Sequence, residues 1–525
     1  MGEVRKLQKK LRQIENLEIK ISLTPEEKVK VSKKAELRFR LAELLLQHSG
    51  PQQTQGIVGK EEDKMKRQVE EVTEQLVACR PALKIAREER RENERIDGSQ
   101  TDGRGETHFP VSPSAEEQED AEFKSRKQTW EKAKFRLRTL EGHSDIITCA
   151  VAVDNLVISG SRDTTVKVWH VPTATEQRNL GGHSGGVTCL SAPPRAPPPE
   201  YCRRLARVFD LADKERFVLS GSTDCCVRIW ALSSSQCVKS IYTFNAVSSL
   251  CFIAEGEGFI LTMPCISLDI SGLQVWSWSS LENCQSENAH LDAVTTLQSQ
   301  GPLLFSGSAE GCVCVWEVSD ERTEPLRRLH VWGPEVTGCG GDDGRLILSP
   351  RGDRVFLSCG KASIRILNWR TGMMTRLTNH SSTAGVTDCV NQIPGLLIGS
   401  CFDITNGEST INLFSLPQSK YLVSLTSSDL PRILCFAAWL TASGDHRWVT
   451  GGRNLIVWEQ LPGSFKKRGD VTVRRDSRLE DCLLESDRDS EDEQSEVDDD
   501  EDSIPQDASE TEEPASSSWL RCVLQ

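Results

Sequence analysis

The sequence predicts a repeated all-β fold between Gly142 and Trp458, with helices ahead of it and an acidic tail behind it. The first observation is a phrase that returns at intervals of about 40 to 60 residues. It reads Gly142-His143, then Val157-Ile158-Ser159-Gly160-Ser161-Arg162-Asp163, then Val166-Lys167-Val168-Trp169. It returns as Gly182-His183, Val218-Leu219-Ser220-Gly221-Ser222-Thr223-Asp224 and Val227-Arg228-Ile229-Trp230. A third copy runs from His290 through Phe305-Ser306-Gly307-Ser308-Ala309-Glu310 to Val313-Cys314-Val315-Trp316. The second observation is that each phrase contains short runs of strand-forming residues bounded by turn residues, the spacing of an all-β repeat.

A Gly-His to Trp frame of this period resembles the WD-repeat (WD40) family. The resemblance implies an all-β, seven-bladed WD40 β-propeller, with blades ending near Trp169, Trp230, Trp276, Trp316, Leu367, Phe414 and Trp458. It also implies closure, with Phe135 to Leu140 forming the outer strand of the last blade so that no sheet edge is left open. Ser159, His143 and Asp163 have the residue types of a hydrolase triad, and so do Ser220, His183 and Asp224. A triad is assembled once, beside an oxyanion hole. A set repeated with Trp169, with Trp230, and again as His290, Ser306 and Trp316 is a structural network. In the family those residue types are joined by hydrogen bonds, and mutually satisfied polar groups rigidify a blade. Blade four has Glu310 for the aspartate, blade five has Leu367 and blade six Phe414 in the tryptophan slot, and blade seven lacks the aspartate.

The chain of 525 residues is too long for one compact core and carries a net charge of -14, which argues against the propeller as a whole binding nucleic acid. The start is charged and without an apolar stretch, and no run of apolar residues is long enough to span a bilayer. The 19 cysteines then read as reduced thiols in a cytoplasmic or nuclear protein, many standing where a core valine would serve. No C-x-x-C pair occurs and histidines number nine, so no metal or other cofactor is expected.

Four regions are expected: 1–47, 48–121, 122–461 and 462–525. In the first, Leu7, Leu11, Ile14, Leu17 and Ile21 recur at helical steps, and Thr24-Pro25-Glu26-Glu27 opens a second helix. The second contains a Gln/Gly linker, one helix over 60–95 and a disordered stretch over 93–120. The propeller follows, interrupted by a proline-rich insert over 191–215 that is expected to be an exposed loop. The last region turns strongly acidic and is expected to be disordered.

Smaller motifs suggest partners. Lys9, Lys10 and Arg12, with the leucines of 6–46, resemble the basic helical hairpin of the exon-junction-complex recycling factor and of eukaryotic initiation factor 2A. That resemblance implies contact with ribosomal RNA phosphates; a coiled-coil or self-association helix pair is the alternative. Pro198-Pro199-Glu200-Tyr201 resembles a WW-domain ligand. Ser486, Ser490 and Ser495 each have an acid three residues later, the context of an acidophilic kinase. Cys522-Val523-Leu524-Gln525 matches a prenylation box, though acidic flanks would give no stable membrane residence. The expected function is a non-enzymatic scaffold that meets protein partners through propeller faces and N-terminal helices. An RNA- or ribosome-associated factor is the alternative. A ubiquitin-ligase substrate receptor is a third reading, although the arginine that marks one such group after the Trp-Asp pair is missing here.

Overall fold

A computed structural model of the chain describes residues 2–19, 24–48, 115–193, 200–254, 258–264, 272–288, 290–319, 321, 323–339, 346–382, 384–465, 469–480 and 485–486. The helix expected over 60–95 lies outside the described residues, as do Pro198, Pro199, Ser490, Ser495 and Cys522.

Seven antiparallel sheets form the body of the protein. Blade one spans 147–180, blade two 187–242, blade three 247–288, blade four 294–332, blade five 347–378 and blade six 385–426. The strands of blade seven are Ile433–Leu440, His446–Gly452 and Leu455–Leu461, completed by Lys134–Leu140 from before blade one. The pairing runs from Lys134 opposite Leu461 to Leu140 opposite Leu455. The expected closure is therefore present, and the innermost strands touch in an unbroken ring.

The spacing between blades follows from small residues at fixed places. A Cβ on Gly160 would lie 2.5 Å from Cγ1 of Val187 in blade two, and one on Gly221 would lie 2.7 Å from Cγ1 of Val247 in blade three. Only glycine admits that approach. Beside these glycines lie Cys149 and Cys189, whose thiols fill the gap as small apolar groups. A hydroxyl then ties the junctions from blade two to blade five. Thr188 Oγ1 donates to the Val247 carbonyl at 2.6 Å, Ser248 Oγ to that of Val294 at 2.6 Å, and Thr295 Oγ1 to that of Leu346 at 2.6 Å.

Helix α1 is Gly2–Ile19, α2 Pro25–Ser32 and α3 Lys34–His48. Thr24 and Glu27 form a capping box at the start of α2. The second helix of the expected pair is thus two, broken at Lys33. Ser32 Oγ donates to the Val29 carbonyl at 2.8 Å, a side-chain bond that competes with the helical ladder. Val4, Leu7 and Leu11 of α1 and Leu41 of α3 are buried against Val386, Phe402 and Ile404 of blade six. The apolar stripe therefore packs on the propeller.

Helix α4, Ala115–Glu131, corrects the disordered reading of its first residues. It lies against blades six and seven. Arg126 donates to the carbonyls of Gly395 and Leu416, and Trp130 packs on Phe135, His446 and Trp448. Helix α5, Glu200–Val208, corrects the exposed-loop reading of the insert. Cys202, Leu205 and Ala206 face the core beside Phe252 and Trp278, because their spacing puts three small or apolar side chains on one helical face. A short turn, α6 (Pro334–Thr337), links blades four and five.

The third correction concerns the tail. After Leu461 the chain turns back. The Asp470 amide donates to the Phe135 carbonyl at 2.8 Å, and an Asp470 carboxylate oxygen accepts from the Leu137 amide at 2.9 Å. Thr472–Arg474 adds a strand to blade six, α7 (Ser477–Glu480) buries Leu479, and Glu485–Ser486 pairs with blade five. Strand addition and three apolar anchors, Val471, Val473 and Leu479, supply what the composition lacks.

Phe135 is fully buried in this seam, 5.0 Å from the Trp448 ring. Phe135→Ala is expected to lower stability by about 3–5 kcal/mol, measured by chemical denaturation.

Candidate interaction surfaces and the blade networks

The repeat brings the predicted polar residues of blade one together. His143 Nε2 lies 2.8 Å from Ser159 Oγ, and its Nδ1 lies 2.8 Å from an Asp163 carboxylate oxygen. Trp169 Nε1 donates to the same Ser159 oxygen at 2.8 Å. Blade two repeats the set with His183, Ser220, Asp224 and Trp230 at 2.7 to 2.8 Å. In blade four His290 Nε2 reaches Ser306 Oγ at 2.8 Å and Trp316 Nε1 donates to it at 3.0 Å. Glu310 stands 3.9 Å from His290 Nδ1, so the longer side chain leaves the acid link slack.

The turn geometry explains the residue types. The Asp163 carboxylate accepts from the amides of Ser144 and Thr165, and Asp224 accepts from those of Ser184 and Cys226. Burial pushes the Asp163 carboxyl up, but the bonds from Thr165, Ser144 and His143 outweigh it and hold it below the ordinary value. Burial holds His143 below its ordinary value against the pull of Asp163. Each serine oxygen is shared between an imidazole and an indole. Ser159, Ser220 and Ser306 are fully buried, so these hydroxyls meet no substrate.

Other blades substitute. Trp276 Nε1 donates to Thr262 Oγ1 at 3.2 Å and Trp458 Nε1 to Thr450 Oγ1 at 3.1 Å. Blade six uses a different set that the sequence did not disclose, since neither a Gly-His nor a tryptophan marks it. Asn412 Nδ2 donates to Asn379 Oδ1, and Ser424 Oγ links Asn412 to Tyr421 Oη.

The partner motifs are placed as follows. Lys9 and Lys10 are exposed on α1, and Arg12 lies on the same helix. Lys28, Lys30 and Lys33 are exposed as well. Tyr201 is half-buried in α5, its ring 5.7 Å from that of Phe252 and its carbonyl accepting from Trp278 Nε1. It is turned into blade three. Ser486 stands opposite Thr375 at the outer edge of blade five. Among the described residues no group of three His, Cys, Asp or Glu side chains is placed to hold a metal ion, and no helix is long and apolar enough to cross a membrane.

Seven closed blades with a repeated His-Ser-Asp-Trp set define a β-propeller of the WD type. Residues 134–170, 204–231 and 282–317 match the family model described as WD domain, G-beta repeat, and the chain belongs to the WD-repeat β-propeller family. It is similar to Mitochondrial division protein 1 of Neosartorya fischeri, at 26% identity over 188 residues, or 35% of this chain and 23% of that protein. Protein ROOT INITIATION DEFECTIVE 3 of Arabidopsis thaliana is 25% identical over 204 residues, 36% of this chain and 43% of its own. WD repeat-containing protein pop2 of Schizosaccharomyces pombe is 24% identical over 180 residues, 34% of this chain and 21% of its own. The chain thus spans less than half the length of each of these relatives.

Two outcomes follow for the network. Trp169→Ala should cost about 3–5 kcal/mol, and Asp163→Asn should destabilise by weakening bonds to two amides and an imidazole; melting temperatures check both. Burial, with Arg328 nearby, lowers His290 to about 4. The unfolded chain takes up a proton near the ordinary histidine value, whereas the folded site resists it. Stability is therefore full above about pH 6.5 and falls as pH drops toward 4, by about 2 kcal/mol at pH 5 from this residue. Melting curves of wild type and His290→Gln between pH 7 and pH 4.5 should show a shallower acid loss in the variant.

Proposed function

We propose that this protein is a non-catalytic scaffold whose propeller presents loops and edges to other proteins within an intracellular complex. The observation that carries the reading is the repetition of the polar set. The residues with the chemistry of a triad are sealed in pairs and triplets that brace the blades, blade after blade. What remains for partners is surface, and a rigid ring that presents loops suits binding rather than reaction. Affinity purification of the full chain from cells, quantified by mass spectrometry against an unrelated propeller, tests it. A reproducible set of partners supports the scaffold; turnover of a small molecule by the purified protein would overturn it.

A second reading is favoured by one observation. With the apolar stripe docked on blade six, Lys10, Lys28, Lys30 and Lys33 remain exposed, so the N-terminal helices offer a basic surface, with Glu3, Glu26 and Glu36 among it, beside an acidic chain. Such a face suits the phosphates of ribosomal RNA, with affinity falling steeply as salt rises. The ubiquitin-ligase receptor rests on fold-level analogy alone. Acidophilic phosphorylation at Ser486, Ser490 and Ser495 and prenylation at Cys522 remain proposals of the sequence.

The ribosomal reading predicts co-sedimentation of the full chain with ribosomes at low salt. Lys9→Glu, Lys10→Glu and Arg12→Glu together should release it, and every phosphate no longer neutralised should flatten the salt dependence by nearly one unit of log-log slope. Sedimentation unchanged by these substitutions would reject the basic face as the binding surface.

A further inference from the structure

The loops that lead into the innermost strands carry a departure from the repeat. Three residues before the first strand stand Ser144 in blade one, Ser184 in blade two, Phe244 in blade three and Leu291 in blade four. The position matches by strand start in all four blades, and three of the four share one backbone bond. The amides of Ser144, Ser184 and Leu291 are held by the loop acids Asp163, Asp224 and Glu310 at 2.9, 3.0 and 3.2 Å. In those three blades the amide is committed to the loop acid, and in all four the side chain is exposed. Serine is adequate there in two blades. Leu291 is nevertheless 92% exposed and Phe244 72% exposed.

Phe244 also holds a φ of +67°, a left-handed conformation costly for a bulky side chain. The conformation is held by the two residues before it. The preceding Thr243 is buried, its amide and hydroxyl both donating to the Cys225 carbonyl, and Tyr242 meets the Phe244 ring edge-on at 5.2 Å. Strain maintained at an exposed aromatic residue marks a feature kept for binding rather than for folding. The innermost strands of blades three and four adjoin, so Phe244 and Leu291 occupy the same step of neighbouring blades.

Three carboxylates stand beside Leu291 against one exposed cation, Arg328. Asp292 follows Leu291 and is exposed, Glu310 lies in the facing turn, and Glu335 is exposed on α6. Thr337 of α6 donates to the Gly311 carbonyl, which places that turn against the Glu310 loop. Burial together with both carboxylates holds the Cys312 thiol up at about 11, so Glu310 and Glu335 act on one spot. The nearby Arg328 guanidinium lies over the Trp316 ring, 5.9 Å from its centroid.

Resting on the scaffold reading, we propose that Phe244, Tyr242 and Leu291 form a docking site for a short segment of a partner protein that carries large apolar side chains beside lysine or arginine. The apolar side chains cover the exposed rings and the leucine, and the cation meets Asp292, Glu310 and Glu335. Exposed apolar anchors rimmed by charge are the composition of a binding hot spot.

The test pans a random peptide library displayed on phage against the full chain, then measures the enriched peptides by fluorescence anisotropy. The comparison variant is Phe244→Ser with Leu291→Ser, which places in blades three and four the residue that blades one and two already have. Its melting temperature should match wild type. Enriched peptides should combine apolar and basic residues, bind the variant at least about tenfold more weakly, and weaken with salt. Asp292→Lys with Glu335→Lys, which alters no buried group, should weaken binding without touching the apolar anchors. Peptides that bind variant and wild type equally would overturn this site while leaving the scaffold reading intact. Enrichment of acidic peptides, or of none, would overturn it also. Sedimentation showing wild type self-associated and the double serine variant monomeric would assign the surface to a second copy of the chain instead.

Discussion

The structure depends on one noncovalent seam. Lys134–Leu140 comes from before the first blade and pairs along its whole length with Leu455–Leu461, the last strand of the last blade. A propeller without that pairing would carry two bare sheet edges and two unpacked blade faces. The seam is held from every side. Arg138 meets Glu459 within the sheet, Asp470 caps Leu137 from outside, and Trp130 of α4 covers Phe135 and Trp448 from below. The aromatic cluster of Trp130, Phe135, Trp448 and Trp458 supplies the apolar area, and the polar contacts fix register.

Once the ring is closed, the distance between blades is set by absence of side chain. Gly160 and Gly221 let the next blade's valine reach the backbone, where the Thr148 and Thr188 hydroxyls donate to the Val187 and Val247 carbonyls, and Gly451 admits Ile147 across the seam at 2.9 Å from its Cβ position. The Ser-Gly-Ser phrase therefore encodes two functions at once. Its first serine joins imidazole to indole within a blade, and its glycine makes room between blades. Phrases that do both become visible as a repeat, because neither requirement can drift without disturbing the core packing.

What the sequence disclosed follows from that. The blades, their order and the closing strand were legible because short-range patterns carry them. The extensions were not. Val471, Val473 and Leu479 anchor the strap after Leu461 with three apolar side chains among charges, too few to set it apart as an element, and its pairing with blades six and five is long-range. Helix α5 was hidden behind a proline run, although Cys202, Leu205 and Ala206 at helical spacing were the signal available. For the interaction surface, Leu291 and Phe244 stand out only when repeats are aligned by strand start, because the loop lacks the Gly-His mark in blade three. The stripe in α1 read equally as a coiled-coil seam, and nothing local says that Val386 and Phe402 complete it.

The extensions are not scattered evenly, and their places answer to the repeat. Blades one and two hold the full His-Ser-Asp-Trp set, and only α5 adds apolar packing there, against Phe217 and Leu219 of blade two. Blade three lacks the set, and α5 packs on its Phe252 and Trp278. Blade five has Leu367 for tryptophan and gains the end of the strap; blade six has Phe414 and gains the strap strand, α4 and the N-terminal helices. Blade seven lacks the aspartate and gains Trp130. Where the His-Ser-Asp-Trp set is incomplete, these extensions add buried apolar area, and blade six keeps its own Asn-Ser-Tyr network as well. That packing uses up surface. It covers blades five to seven and leaves the loops of blades three and four, with Phe244 and Leu291, open to solvent. Most of the extensions are thus gathered over one arc, blades five to seven, and the exposed Phe244 and Leu291 stand on the two blades that precede it.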